Sequence, residues 1–139
     1  MEEIPFKNYT KIDIMVLYKI LYNRGAPLDD KPIEFIGTSL DDLRAFPVGV
    51  RQQAGYQLGL VQSGRMPDDF KPMPTVGQGC YEIRVREESG QYRVIYVAKF
   101  AEAIYVLHCF QKKTQKTSRP DLDLAERRYR ELLEDRHDG

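Results

Sequence analysis

The chain has 139 residues, with 21 basic and 21 acidic side chains and a formal net charge of zero. This length holds one domain with a modest core and excludes two full ones. The balanced charge excludes a uniformly cationic protein, so any attraction for a polyanion has to come from local asymmetry. Such asymmetry exists. Between Gln111 and Arg119 stand Lys112, Lys113, Lys116 and Arg119 with no carboxylate, whereas the segment from Asp121 onward carries seven acids against four arginines.

Residues 1–30 read as a helical extension. Thr10 can cap a helix over Lys11 to Asn23, with Gly25 as its stop and Pro27 beyond. Ile12, Ile14, Met15, Val16, Leu17, Ile20 and Leu21 are too many apolar residues for one exposed helix, so a partner surface is expected. Asp13 and Lys19 interrupt this stretch, which is too short and too polar to span a bilayer. The acidic start (Glu2, Glu3) does not read as a secretory leader. Residues 31–139 form the main domain. Lys31 to Gly37 alternates as a first strand, and Thr38 and Ser39, each three residues before Asp41 or Asp42, signal a helix start. Pro47 opens a second helix whose Val50, Ala54, Leu58 and Val61 share one face, ended by Gly64. The proline- and glycine-rich stretch Arg65 to Gly79 is expected to be a loop. Tyr81 to Arg86, Tyr92 to Lys99 and Ala103 to Phe110 predict an antiparallel meander. A last helix is expected over Asp121 to Glu134, with Leu122, Ala125, Tyr129 and Leu132 on one face. Helices segregated from a run of consecutive strands argue for an α+β fold with the helices on one face of the sheet.

Parity in the first hairpin bears on chemistry. A two-residue turn at Ser89-Gly90 sets Arg86 opposite Arg93, and a four-residue loop sets Arg84 opposite Arg93. Either register places Glu82, Arg84, Arg86 and Arg93 on one face, expected to be exposed. Like charges directly opposed destabilise a strand pair unless neutralised, by Glu82 or by a bound phosphate. A solvated outer face balanced by Glu82, Glu87 and Glu88 is the plainer alternative. The lysine run that follows the last strand supplies point charges suited to phosphate oxygens. His108, between Leu107 and Cys109, reads as a hydrogen-bonded core histidine. Cys80 and Cys109 fall in apolar strand patterns without metal-ligand spacing, so buried, reduced thiols and a cytoplasmic location are expected. No zinc, magnesium or triphosphate motif is present, and no nucleophile–histidine arrangement is visible.

At these residues the chain resembles a known family. KPIEFIG-x-SLDDLRAFP, GYQLGLVQ-x-G, KPMPTVGQG-x-YEIRV, YRVIYVAKF-x-x-AIYVLHCFQKKTQKT and D-L-x-LA-x-x-RY closely resemble the phage-derived Gp49-like, often called HigB-like, branch of the RelE/ParE toxin superfamily, over about residues 31 to 134. The resemblance implies a RelE-like α+β fold, with a small antiparallel sheet mixed at its edge. It implies a type II toxin that cleaves mRNA on the ribosome without metal or other cofactor, held in a hetero-oligomer by a helix-turn-helix antitoxin. Carried over by position, Arg93 matches the arginine that stabilises the pentacoordinate phosphate and Arg84 a basic strand residue. Lys112 or Lys113 matches the basic residue after the last strand, with Lys116 as a second. Arg86, Lys113, Gln115 and Arg119 are the expected RNA or ribosome contacts. Some relatives carry lysine where this chain has Glu82, so the general base is left unassigned. Two other readings stay open: a ParE-like poison of DNA gyrase, and a catalytically inactive module that binds its antitoxin. With Arg93 exposed, Arg93→Ala is expected to abolish activity and leave the fold intact.

Overall fold

The computed structural model describes residues 31–138, so the helix expected over Lys11 to Asn23 lies outside the described residues. The elements run β1 (Ile33–Phe35), α1 (Ser39–Arg44), α2 (Val48–Gln62), β2 (Phe70–Pro72), β3 (Cys80–Glu87), β4 (Gly90–Val97), β5 (Ile104–Lys112) and α3 (Arg119–Asp138). The sheet order is β1-β5-β4-β3-β2, parallel only where β1 meets β5. The α+β class and the sheet mixed at its edge are as expected. β2 was hidden in the predicted loop: three residues ending in Pro72 carry no alternation, and proline is tolerated because the strand lies at the sheet edge.

The placement of the helices differs from the expectation of a single covered face. One core joins α1 and α2 (Leu43, Val50, Ala54, Leu58, Val61) to Ile83, Val85, Val94, Tyr96 and Val106. A second core joins α3 (Ala125, Tyr129, Leu132) to the alternate strand positions Cys80, Ile95 and Val97, with Leu107 and Phe110. The reason is visible in β4, where every residue from Tyr92 to Val97 is buried. Alternation requires one covered face, whereas a continuous apolar run requires two. Each fully buried Val, Leu or Ile contributes roughly 1.5–3 kcal/mol, so leaving either face open would forfeit several such terms.

Local chemistry positions α3. A β-bulge leaves Leu107 unpaired between the Ile95↔His108 and Tyr96↔Val106 pairs. Its carbonyl accepts a hydrogen bond from Arg128 Nη1 at 2.8 Å, while Arg128 Nη2 donates to Thr38 Oγ1 at 2.9 Å. The same guanidinium lies over Gly37, where a Cβ would come within 2.8 Å of Nε and where φ is +59°. Thr38 therefore anchors α3 and donates to Asp42 Oδ2, and no side chain caps α1. At the far end Arg136 pairs with Glu102 (2.6 Å) and lies 3.8 Å over the Phe100 ring. At the near end Ser118 and Asp121 cap α3: Asp121 N donates to Ser118 Oγ at 3.3 Å, and Ser118 Oγ donates to Asp121 Oδ2 at 2.7 Å. α2 ends where Gly64 (φ +86°) lets Arg65 N reach Leu60 O at 3.0 Å, a left-handed closure that glycine makes without strain.

Candidate active site

The face carrying α3 is apolar at one end and cationic at the other. Cross-strand pairs order it in rows: Glu82–Ile95–His108, then Arg84–Arg93–Phe110, then Arg86–Gln91–Lys112. Lys71 stands beside Glu82 on β2. The hairpin turn is Glu88-Ser89, with Glu87 opposite Gly90, so Arg84 is the residue opposite Arg93. α3 covers the apolar end and leaves the cationic end open.

Arg93 is not exposed, contrary to expectation. It is 1% accessible, and its partner Glu82 is 3% accessible. Arg93 Nε lies 3.4 Å from Glu82 Oε1, too poorly aligned for a hydrogen bond. Nη1 donates to Tyr92 O and Nη2 to Gln91 Oε1, each at 3.0 Å. Glu82 Oε2 accepts from Thr117 Oγ1 at 2.8 Å. The physical reason for the burial is that Glu82 lets the guanidinium leave water, because a buried charge persists only when paired. Burial pushes the Arg93 pKa down, Glu82 opposes that, and Arg84 and Arg86 add to the lowering; arginine remains protonated. Glu82 thus serves as an internal counterion and presents almost no surface.

Around this pair the field is positive. Arg84 is about a third exposed and pairs with Asp69 at 3.5 Å; Arg86 is exposed. Lys112 is the last residue of β5, so the strand itself aims it onto this face. Its pKa is held below the ordinary lysine value by desolvation and then by Arg93, against the pull of Glu82. Beside it opens a cleft of about 590 Å³ lined by Gly90, Gln91, Lys112, Lys113, Thr114, Gln115 and Lys116. The structure therefore brings Arg84, Arg86, Arg93 and Lys112 onto one face and gathers Lys112, Lys113, Gln115 and Lys116 at one cleft. Arg119 stands apart from the cleft lining, exposed at the start of α3 and 3.8 Å from Asp123.

Gln91, Thr117, Lys71 and Asp69 belong to the site's surroundings and were missed from sequence. The Gln91 position followed from strand parity, but its contact with Arg93 is a side-chain matter; Lys71 was hidden with β2. Four expected bystanders are placed. Tyr129 packs α3, its hydroxyl donating to Gln78 O at 2.9 Å. His108 is buried, Nε2 lies 2.7 Å from Asp121 Oδ1, and Nδ1 has no partner; protonating it would bury an unpaired N–H, in line with a pKa pushed down chiefly by burial. Cys80 and Cys109 are free, buried thiols, with Cys80 raised to about 12 by burial.

Among the described residues no three His, Cys, Asp or Glu side chains converge as a metal-ligand set, and no helix is long and apolar enough to cross a membrane. No curated protein matches the chain. The phage-derived Gp49-like protein family (DUF891) matches residues 41–130, which contain α2, strands β2 to β5 and every cation of the face. With more than half of its length matched, this chain belongs to the phage-derived Gp49-like family of RelE-type, toxin-like proteins.

Proposed function

We propose that this protein is the HigB-like toxin of a type II toxin–antitoxin pair and a ribosome-associated endoribonuclease that cleaves mRNA. Membership of the Gp49-like family points to a toxin module with an antitoxin partner. The observation that carries the enzymatic reading is the strand-positioned set Arg84, Arg86, Arg93 and Lys112 beside an open, lysine-lined cleft. Cations held by strands are pre-organised, so they stabilise developing phosphorane charge without reorganising at the moment of reaction.

In the proposed reaction the 2′-hydroxyl gives its proton to a general base as O2′ bonds to phosphorus. The P–O5′ bond breaks and O5′ takes a proton, leaving a 2′,3′-cyclic phosphate and a 5′-hydroxyl. Lys112, with its lowered pKa, is the proton donor to O5′. Arg84 and Lys116 offset charge on the phosphate oxygens, and Arg93 acts from behind through its field. Arg86, Lys113 and Gln115 hold the RNA strand, and a helix-turn-helix antitoxin covers the cationic face in the resting complex.

The test is to induce the wild type and Lys112→Ala separately in cells and map mRNA 5′ ends by primer extension. Lys112 is preferable to Arg93 because its loss leaves no buried charge. New ends within translated frames, absent in the variant, support the reading. Growth arrest without new ends would favour gyrase as the target, and neither arrest nor cleavage would favour an antitoxin-binding module.

A further inference from the structure

Gln91 is the exposed neighbour of the buried Arg93. It sits between Arg86 on β3 and Lys112 on β5 and lines the lysine cleft. Its amide orientation is decided by chemistry. Arginine has donors and no acceptor, so the Gln91 atom 3.0 Å from Arg93 Nη2 is the carbonyl oxygen Oε1. The amide nitrogen, with two N–H donors, is then directed away from Arg93 and makes no hydrogen bond within the described residues. A glutamate here would satisfy Arg93 equally well and would also cancel one positive charge of the face. Glutamine satisfies Arg93 while keeping the face cationic and adding donors at the cleft.

From this geometry we propose that Gln91 is a ligand-contacting residue: its Nε2 donates to a non-bridging phosphate oxygen of single-stranded RNA, alongside Lys112 from the next strand. Arg93, and Glu82 behind it, act as positioning residues that hold the Gln91 carbonyl and so aim the amide. This rests on the reading of the cleft as an RNA site and assigns that site a neutral contact beside its lysines.

Two substitutions separate the possible roles. Gln91→Glu keeps an acceptor for Arg93, removes the donors and adds charge. Gln91→Met removes donors and acceptor and adds no charge. Each full-length variant is titrated against a fluorescein-labelled single-stranded hexaribonucleotide by anisotropy, with thermal unfolding and mRNA cleavage run in parallel. The expected result is that both variants bind at least about tenfold more weakly, the loss of roughly one charge-assisted hydrogen bond, while Gln91→Glu keeps the wild-type unfolding midpoint. Wild-type affinity in Gln91→Glu would overturn the proposal, leaving Gln91 a structural acceptor. Wild-type affinity in Gln91→Met, with loss only in Gln91→Glu, would overturn it in favour of charge alone. A wild type that fails to bind RNA overturns it as well. A wild type that binds RNA and does not cleave it refutes the nuclease reading and leaves the role of Gln91 to be decided by the two affinities.

Discussion

Replacing Arg93 by alanine removes one half of an ion pair whose side chains are 2% and 3% accessible. What stays behind is the Glu82 carboxylate, out of water, with the Thr117 hydroxyl as its remaining hydrogen-bond donor. Tyr92 O and Gln91 Oε1 lose their donors too. Breaking a buried pair from one side costs about 3–5 kcal/mol, and the near-complete burial leaves little solvent screening to reduce it. At about 4 °C per kcal/mol for a domain of this size, the unfolding midpoint falls by about 12–20 °C. That is a large part of a total stability of about 5–15 kcal/mol. The assay is a thermal scan of the wild type, Arg93→Ala, Glu82→Ala and the double variant. The double variant is expected to be less destabilised than the sum of the singles, because removing both charges leaves neither uncompensated. A midpoint for Arg93→Ala within about 2 °C of the wild type, or strict additivity, would refute a buried pair. The expectation from sequence that Arg93→Ala leaves the fold intact is thus replaced: inactivity of that variant reports on folding as much as on chemistry.

Three further outcomes are expected. If Lys112 must be protonated to serve O5′, kcat/KM falls with rising pH at values below the ordinary lysine range, and Lys112→Arg moves that limb upward; identical profiles would remove Lys112 from proton transfer. The folded pKa of His108 lies below its ordinary value, so as pH falls through about 6.5 the unfolded chain takes up a proton that the folded chain resists. Stability therefore drops with falling pH, and the urea midpoint of His108→Gln should depend less on pH between 7.5 and 5.5. Gly77→Ala places a Cβ 2.2 Å from the Tyr129 ring, which is overpacking of about 1–3 kcal/mol. An unchanged midpoint in that variant would mean that Tyr129 is not seated against Gly77.

The elements that sequence determined are those whose pattern is local. The i, i+4, i+8, i+11 run Val50, Ala54, Leu58, Val61 is the buried face of α2, and the alternation in Tyr81 to Arg86 put Glu82, Arg84 and Arg86 on one side, as β3 places them. Strand parity also brought Arg93 to that side whichever turn formed. Residue identity alone marked the lysine run at the end of the last strand, but β5 extends through Lys112, so only Lys113 and Lys116 lie beyond it. Tertiary structure decided everything that depends on what lies above a face. α3 closes the second face of the sheet because β4 is buried on both sides, a fact spread across three strands and a helix. Arg93 left solvent because Glu82, eleven residues earlier, came within 3.4 Å of it with Thr117 behind. Arg128 reads as one more charge on a polar helix, yet it ties a bulge carbonyl to the β1–α1 turn. Charge type is written in the chain; whether a charge meets water, a counterion or a ligand is set by the other elements that fold over it.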